Sequence, residues 1–163
     1  MRVNHVNIVV ADMERSLAFY VGLLGLRATF EVELEGAWIE VVTGLPGAKA
    51  RCVFCQPAEG GARFELLQYR TPVGVSEPAG SLPNTRGLRH VALEVDDLDA
   101  LYGRLRAAGV PFVSPPVVVP FPIAGGLWKR LCYLRDPDGV LVEISDYVAV
   151  AAAVNASASP PAT

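Results

Sequence analysis

The chain has 163 residues, 52% of them hydrophobic and 19% charged, with a formal net charge of -3, enough apolar material for one compact core or two small modules. Its two lysines, Lys49 and Lys129, stand alone and no basic stripe is present, which excludes a nucleic-acid footprint and a charged membrane patch and leaves a small molecule as the expected partner. No apolar run approaches the roughly 20 residues of a spanning helix, and no basic leader precedes one, so the expectation is a cytoplasmic protein.

The first predicted element is a strand opening at His5. Alternation puts His5, Asn7 and Val9 on one face and Val6, Ile8 and Val10 on the other. The apolar face calls for a covering helix, and one follows: Asp12 stands at its N-cap, Met13, Leu17, Phe19, Tyr20, Leu23 and Leu24 supply its apolar side, and Gly25 stops it. Residues 28–35, Ala37–Thr43 and 51–56 read as strands, separated by glycine-rich turns. A further strand carries Glu65 on the same face as Arg63, Leu67 and Tyr69, opposite Phe64 and Leu66. Three cysteines do not make a disulfide framework. Cys52 and Cys55 have C-x-x-C spacing but lie in a strand with no second pair, so they read, with Cys132, as core residues.

The second half begins the same way. His90 opens a strand in which His90, Ala92 and Glu94 oppose Val91, Leu93 and Val95; Asp97 caps a helix with Leu98, Leu101, Tyr102 and Leu105 on its apolar side, and Gly109 ends it. Residues 112–113 are extended. The proline-rich stretch 115–122 with Gly125-Gly126 reads as a loop with a hinge flanking a pocket, and Lys129 or Arg130 just beyond it could meet an acidic substrate group. Strands at 127–134 and 140–147 complete this half, the last carrying Glu143 on one face with Leu141, Ser145 and Tyr147. The domain reading is a first module over 1–70, a linker over 71–86, a second module over 87–148 and a disordered tail over 149–163.

The two halves superimpose residue by residue. His5-Val6-Asn7-Ile8-Val9-Val10-Ala11-Asp12 lies over His90-Val91-Ala92-Leu93-Glu94-Val95-Asp96-Asp97, and Glu65 and Tyr69 lie over Glu143 and Tyr147. Both histidines of the chain are used. A carboxylate interrupting an apolar strand is costly unless a cation or proton accompanies it. His5, Glu65, His90 and Glu143 together are therefore read as ligands of one divalent metal ion (Zn, Co, Ni, Mn or Fe(II)), with coordination positions left for substrate.

These motifs, with Phe19-Tyr20, Leu24-Gly25-Leu26, Phe64-Glu65-Leu66-Leu67-Gln68-Tyr69 and Asp136-Pro137-Asp138-Gly139-Val140-Leu141-Val142-Glu143, resemble the vicinal oxygen chelate superfamily. That superfamily includes glyoxalase I, methylmalonyl-CoA epimerase, extradiol dioxygenases and fosfomycin- and bleomycin-resistance proteins. The resemblance implies an α+β fold in which two tandem βαβββ modules form a cupped eight-stranded mixed sheet, with His5, Glu65, His90 and Glu143 on the four metal-ligand positions and a homodimer as the common assembly.

The resemblance also implies a metal that chelates neighbouring substrate oxygens, but fold does not choose the reaction. The leading reading is a proton-transfer isomerase, epimerase or lyase acting beside a carbonyl or acyl thioester, with Glu143 or Glu65 as base, and with Asn7, Leu67, Ser145, Lys129 and Arg130 lining the substrate pocket. The second is an Fe(II) extradiol-type dioxygenase, disfavoured because such relatives use a further histidine and this chain has none to spare. The third is a non-catalytic binding or resistance protein, whose pockets lack the ligand set. Glutathione-dependent glyoxalase I itself is disfavoured, since Asn7, Ile8 and Val9 stand where its relatives carry an arginine on the first strand.

Overall fold

A computed structural model describes residues 1–76 and 81–149. The expected disordered tail lies, from residue 150 onward, outside the described residues, as does part of the expected linker. The chain divides into two compact units, Met1–Ala79 and Gly80–Thr163.

The first unit contains β1 (His5–Val9), α1 (Met13–Leu17), β2 (Arg27–Leu34), α2 (Ala37–Thr43), β3 (Lys49–Gln56) and β4 (Arg63–Thr71). Its sheet has the order β1-β4-β3-β2, with β1 parallel to β4 and the other pairs antiparallel. The second unit repeats the plan with β5 (His90–Glu94), α3 (Leu98–Ala107), β6 (Val117–Ala124), β7 (Leu127–Arg135) and β8 (Leu141–Val148), in the order β5-β8-β7-β6. The architecture is thus α+β, its eight strands divided between two four-stranded mixed sheets.

Both capping aspartates act as expected. Asp12 accepts a hydrogen bond from the Arg15 backbone N–H and Asp97 from that of Ala100, each satisfying a donor that the helix leaves open. In α3 the spacing of Leu98, Leu101 and Leu105 buries one side, together with Val142 and Ile144 of β8. The first helix is shorter than its apolar pattern predicts. After Leu17 the backbone widens into a π-helical turn over Ala18–Leu23, which still buries Phe19 and Tyr20, and the chain leaves it at Gly25, whose φ of 80° favours glycine.

Two expectations need correction. Ala37–Thr43 is not a strand but a helix of two turns, α2. Its β-branched and aromatic residues suggested extended chain. However, glycines bracket it, and Gly44, in the left-handed region at φ 69°, returns its N–H to the Glu40 carbonyl at 2.8 Å. Only Ile39 is buried; Trp38, Val41 and Val42 stay exposed, so no sheet face recruits them. From Val117 onward the proline-rich stretch is likewise not a loop: Val117–Ala124 forms β6, the outermost strand of its sheet, where proline is best tolerated. Gly125 and Gly126, both at positive φ (55° and 77°), make the tight turn into β7 rather than a hinge.

Candidate metal centre

The repeat places each histidine and glutamate by the same register. In the parallel pair β1/β4, His5 stands beside Arg63 and Asn7 beside Glu65; in β5/β8, His90 stands beside Leu141 and Ala92 beside Glu143. Because alternate residues share a face, the histidine and glutamate of each unit emerge on the same side, diagonally adjacent. His5 Nε2 lies 3.4 Å from Glu65 Oε2, and His90 Nε2 lies 3.5 Å from Glu143 Oε2. Two ligand atoms each about 2.1 Å from one tetrahedral cation are separated by about 3.4 Å. Both pairs have that spacing.

In the first unit the hydrogen bonds also fix which nitrogen faces the carboxylate. Arg63 Nη2 donates to Asn4 Oδ1 at 2.8 Å, so that atom is an acceptor; His5 Nδ1, 2.8 Å from the same oxygen, must then carry a proton. In the neutral ring, His5 Nε2 therefore directs a lone pair at Glu65 Oε2. Two acceptors facing each other need a proton or a metal cation between them, and a ring whose other nitrogen is anchored in this way matches the usual state of a metal-ligating histidine. Asn7 Nδ2 donates to Glu65 Oε2 at 3.0 Å, and the Cys52 thiol to Glu65 Oε1 at 3.8 Å.

The second unit satisfies its glutamate differently. Glu143 is buried, its side chain 5% exposed, and Lys129 Nζ donates to its Oε1 at 2.5 Å. That hydrogen bond raises the Lys129 ammonium above its ordinary range, against the pull of burial. Burial, followed by the charge of Glu143, also raises the Tyr133 hydroxyl. Each unit stops at a pair: among the described residues, no group of three or more His, Cys, Asp and Glu side chains is placed to hold a metal ion. The four expected residues stand as two His–Glu pairs, one in each unit. Burial pushes the Cys52 and Cys132 thiols up to about 12 and that of Cys55 to about 11, so all three stay protonated near neutral pH.

Of the expected pocket residues, Asn7 and the buried Leu67 share the face of Glu65, and Ser145 and Lys129 share that of Glu143. Arg130 does not join them. It is one residue from Lys129 and so faces the helix side, where Nε and Nη2 grip Asp146 at 2.9 and 2.5 Å and Nη1 reaches Asp99 in α3 at 2.7 Å. Arg51 holds the equivalent place in the first unit, reaching Glu31 of β2 at 2.7 Å and Glu14 of α1 at 2.6 Å. Each arginine ties the first turn of a helix to its sheet, so Arg130 is a strut and not a substrate contact.

The fold is a duplicated βαβββ architecture that carries one imidazole–carboxylate pair in each unit. Residues 2–144 match the Glyoxalase/Bleomycin resistance protein/Dioxygenase superfamily, and the chain belongs to it. Among curated proteins it is 31% identical over 148 residues to the mitochondrial methylmalonyl-CoA epimerase of Homo sapiens, covering 88% of this chain and 72% of that protein. It is 29% identical over 157 residues to a lactoylglutathione lyase of Pseudomonas aeruginosa, covering 86% and 80% respectively. Among solved structures, a glyoxalase family protein from Bacillus cereus superimposes with a TM-score of 0.79 at 26% identity, over 91% of this chain and 95% of that one. Among the described residues, no helix is long and apolar enough to cross a membrane.

Proposed function

We propose that this protein is a divalent-metal-dependent enzyme that moves a proton at a carbon beside a carbonyl, as an isomerase, epimerase or lyase of a small carbonyl or acyl-thioester substrate. The observation that carries the reading is the ligand spacing: a His Nε2 and a Glu oxygen 3.4 Å apart in one unit and 3.5 Å apart in the other. His5 and Glu65 in one unit, and His90 and Glu143 in the other, are the proposed cation ligands. Once bound, the cation supplies Lewis-acid polarisation of the substrate oxygen. Glu143 takes the substrate proton as general base, with Glu65 as the other candidate, and Asn7 and Ser145 orient the substrate on the same faces. The relatives named for epimerisation of methylmalonyl-CoA and for lactoylglutathione lysis support the proton-transfer class over oxygenation.

The test has two stages. Protein prepared without chelator should contain about one divalent metal per chain by elemental analysis, and His5→Ala and His90→Ala should each abolish binding while circular dichroism stays unchanged. A folded wild type that refuses Zn, Co, Ni, Mn and Fe(II) would end the metal reading. Solvent deuterium should then enter the carbon beside the carbonyl of a turned-over 2-oxo or acyl-thioester compound with wild type, and not with Glu143→Gln. Exchange by that variant at the wild-type rate would move the base to Glu65, whereas oxygen uptake with a catechol and Fe(II) would replace proton transfer by dioxygenation.

A further inference from the structure

The two glutamates occupy equivalent positions, yet their neighbours differ at each matching site. Asn7 beside Glu65 is matched by Ala92 beside Glu143. Across the antiparallel pairs, Phe54 opposite Glu65 is matched by Tyr133 opposite Glu143, and Ala50 opposite Tyr69 by Lys129 opposite Tyr147. In the first unit Glu65 meets, besides the imidazole, a neutral amide and a thiol. In the second, a full positive charge on Lys129 meets one carboxylate oxygen of Glu143 while the other oxygen faces His90 Nε2.

We propose that Lys129 and a divalent cation compete for Glu143, so that this lysine sets the metal affinity of the protein; the inference rests on the metal reading above. Glu143 has a single negative charge and little solvent around it, its side chain being 5% exposed, and Lys129 is itself only 18% exposed. An ammonium this close neutralises the carboxylate before any metal arrives, and in a site with little water its repulsion of a second cation is weakly screened. Metal binding must displace the lysine from Oε1 or accept a ligand whose charge is already shared. Glu65 imposes no such toll, because its amide and thiol donors carry no net charge. Lys129 is thus a positioning residue that acts on the metal through Glu143, and it occupies one of the two carboxylate oxygens.

The experiment strips the full-length protein with chelator, then titrates Zn²⁺ and Co²⁺ against a chromophoric chelator, reading affinity and the Co²⁺ visible spectrum with no substrate present. Lys129→Met should bind both metals at least about tenfold more tightly than wild type, and Lys129→Arg, which keeps the cation, should stay within a few fold of wild type. Lys49→Met, which removes the exposed lysine paired with Glu35, serves as control and should change nothing. Should Lys129→Met lose its fold by circular dichroism, Lys129→Gln makes the same comparison. Equal or weaker binding by a folded, uncharged variant, with wild type binding normally, would overturn the competition and leave the metal reading standing. Failure of every form, wild type included, to bind either metal would overturn both.

Discussion

The twin arginines invite a prediction that separates two kinds of ion pair on one scaffold. Arg130 grips Asp146 through two nitrogens, and the pair is sealed: the side chains are 13% and 6% exposed, and Asp146 also accepts from the Leu98 backbone N–H. Replacing Arg130 by Met preserves most of the stem and strands a buried carboxylate. Breaking a buried pair from one side costs about 3–5 kcal/mol. Arg51 makes contacts of similar length, but its partners Glu14 and Glu31 are 76% and 55% exposed. Water replaces the guanidinium there, and Arg51→Met should cost at most about 1 kcal/mol. Urea unfolding of single-tryptophan variants can read the two units separately, because Trp38 is in the first and Trp128 in the second. With a urea slope of about 1–3 kcal/mol/M, a loss of 3 kcal/mol moves the Trp128 transition by about 1 M or more. Adding Asp146→Leu to Arg130→Met should recover part of the loss, since the stranded charge is gone. Equal losses at Arg51 and Arg130, or a loss below about 1 kcal/mol at Arg130, would refute the assignment of Arg130 as a sealed strut.

Three further outcomes are expected. Asn4→Ala removes the oxygen that holds the proton on His5 Nδ1, and metal affinity measured by chelator competition should fall about 10–100-fold, the usual cost of losing such an anchor; unchanged affinity would show that the tautomer is set elsewhere. Burial raises all three thiols, so at pH 8 the folded protein should react with a thiol-specific disulfide reagent far more slowly than in urea, where all three cysteines should titrate; equal rates in the two conditions would refute the burial of the thiols. Light scattering at micromolar concentration should give the mass of a homodimer, an expectation that a concentration-independent monomer mass would defeat.

Much of the candidate site is legible in the bare sequence because a duplicated module repeats it: His5 with His90 and Glu65 with Glu143 recur in the same strand contexts, and alternation alone assigns their faces. The same alternation would have separated Lys129 from Arg130, since adjacent strand residues cannot share a face, and Arg51 standing before Cys52 as Arg130 stands before Leu131 offers a second clue to the strut. The Lys129–Glu143 contact was out of reach. It depends on the register of β7 against β8, in which Lys129 pairs with Tyr147, and on a long side chain running back toward Glu143. Helix α2 escaped for a different reason. Seven residues rich in β-branched and aromatic side chains carry strand propensity, and what makes them helical is the pair of glycines at their ends, which a composition-based reading takes only as turn punctuation.

The edge strand β6 carries Val117, Phe121 and Ile123 more than half, or about half, exposed, at 55%, 59% and 50%. A bare hydrophobic edge normally invites another chain to add a strand and so to seed aggregates. Pro120 and Pro122 remove two of the N–H groups that such pairing would need, and the regular β6/β7 register is itself broken between Val118 and Pro122. The protein can therefore present oily side chains along this edge without offering a backbone template, and any partner that settles there must grip by shape and not by extending the sheet.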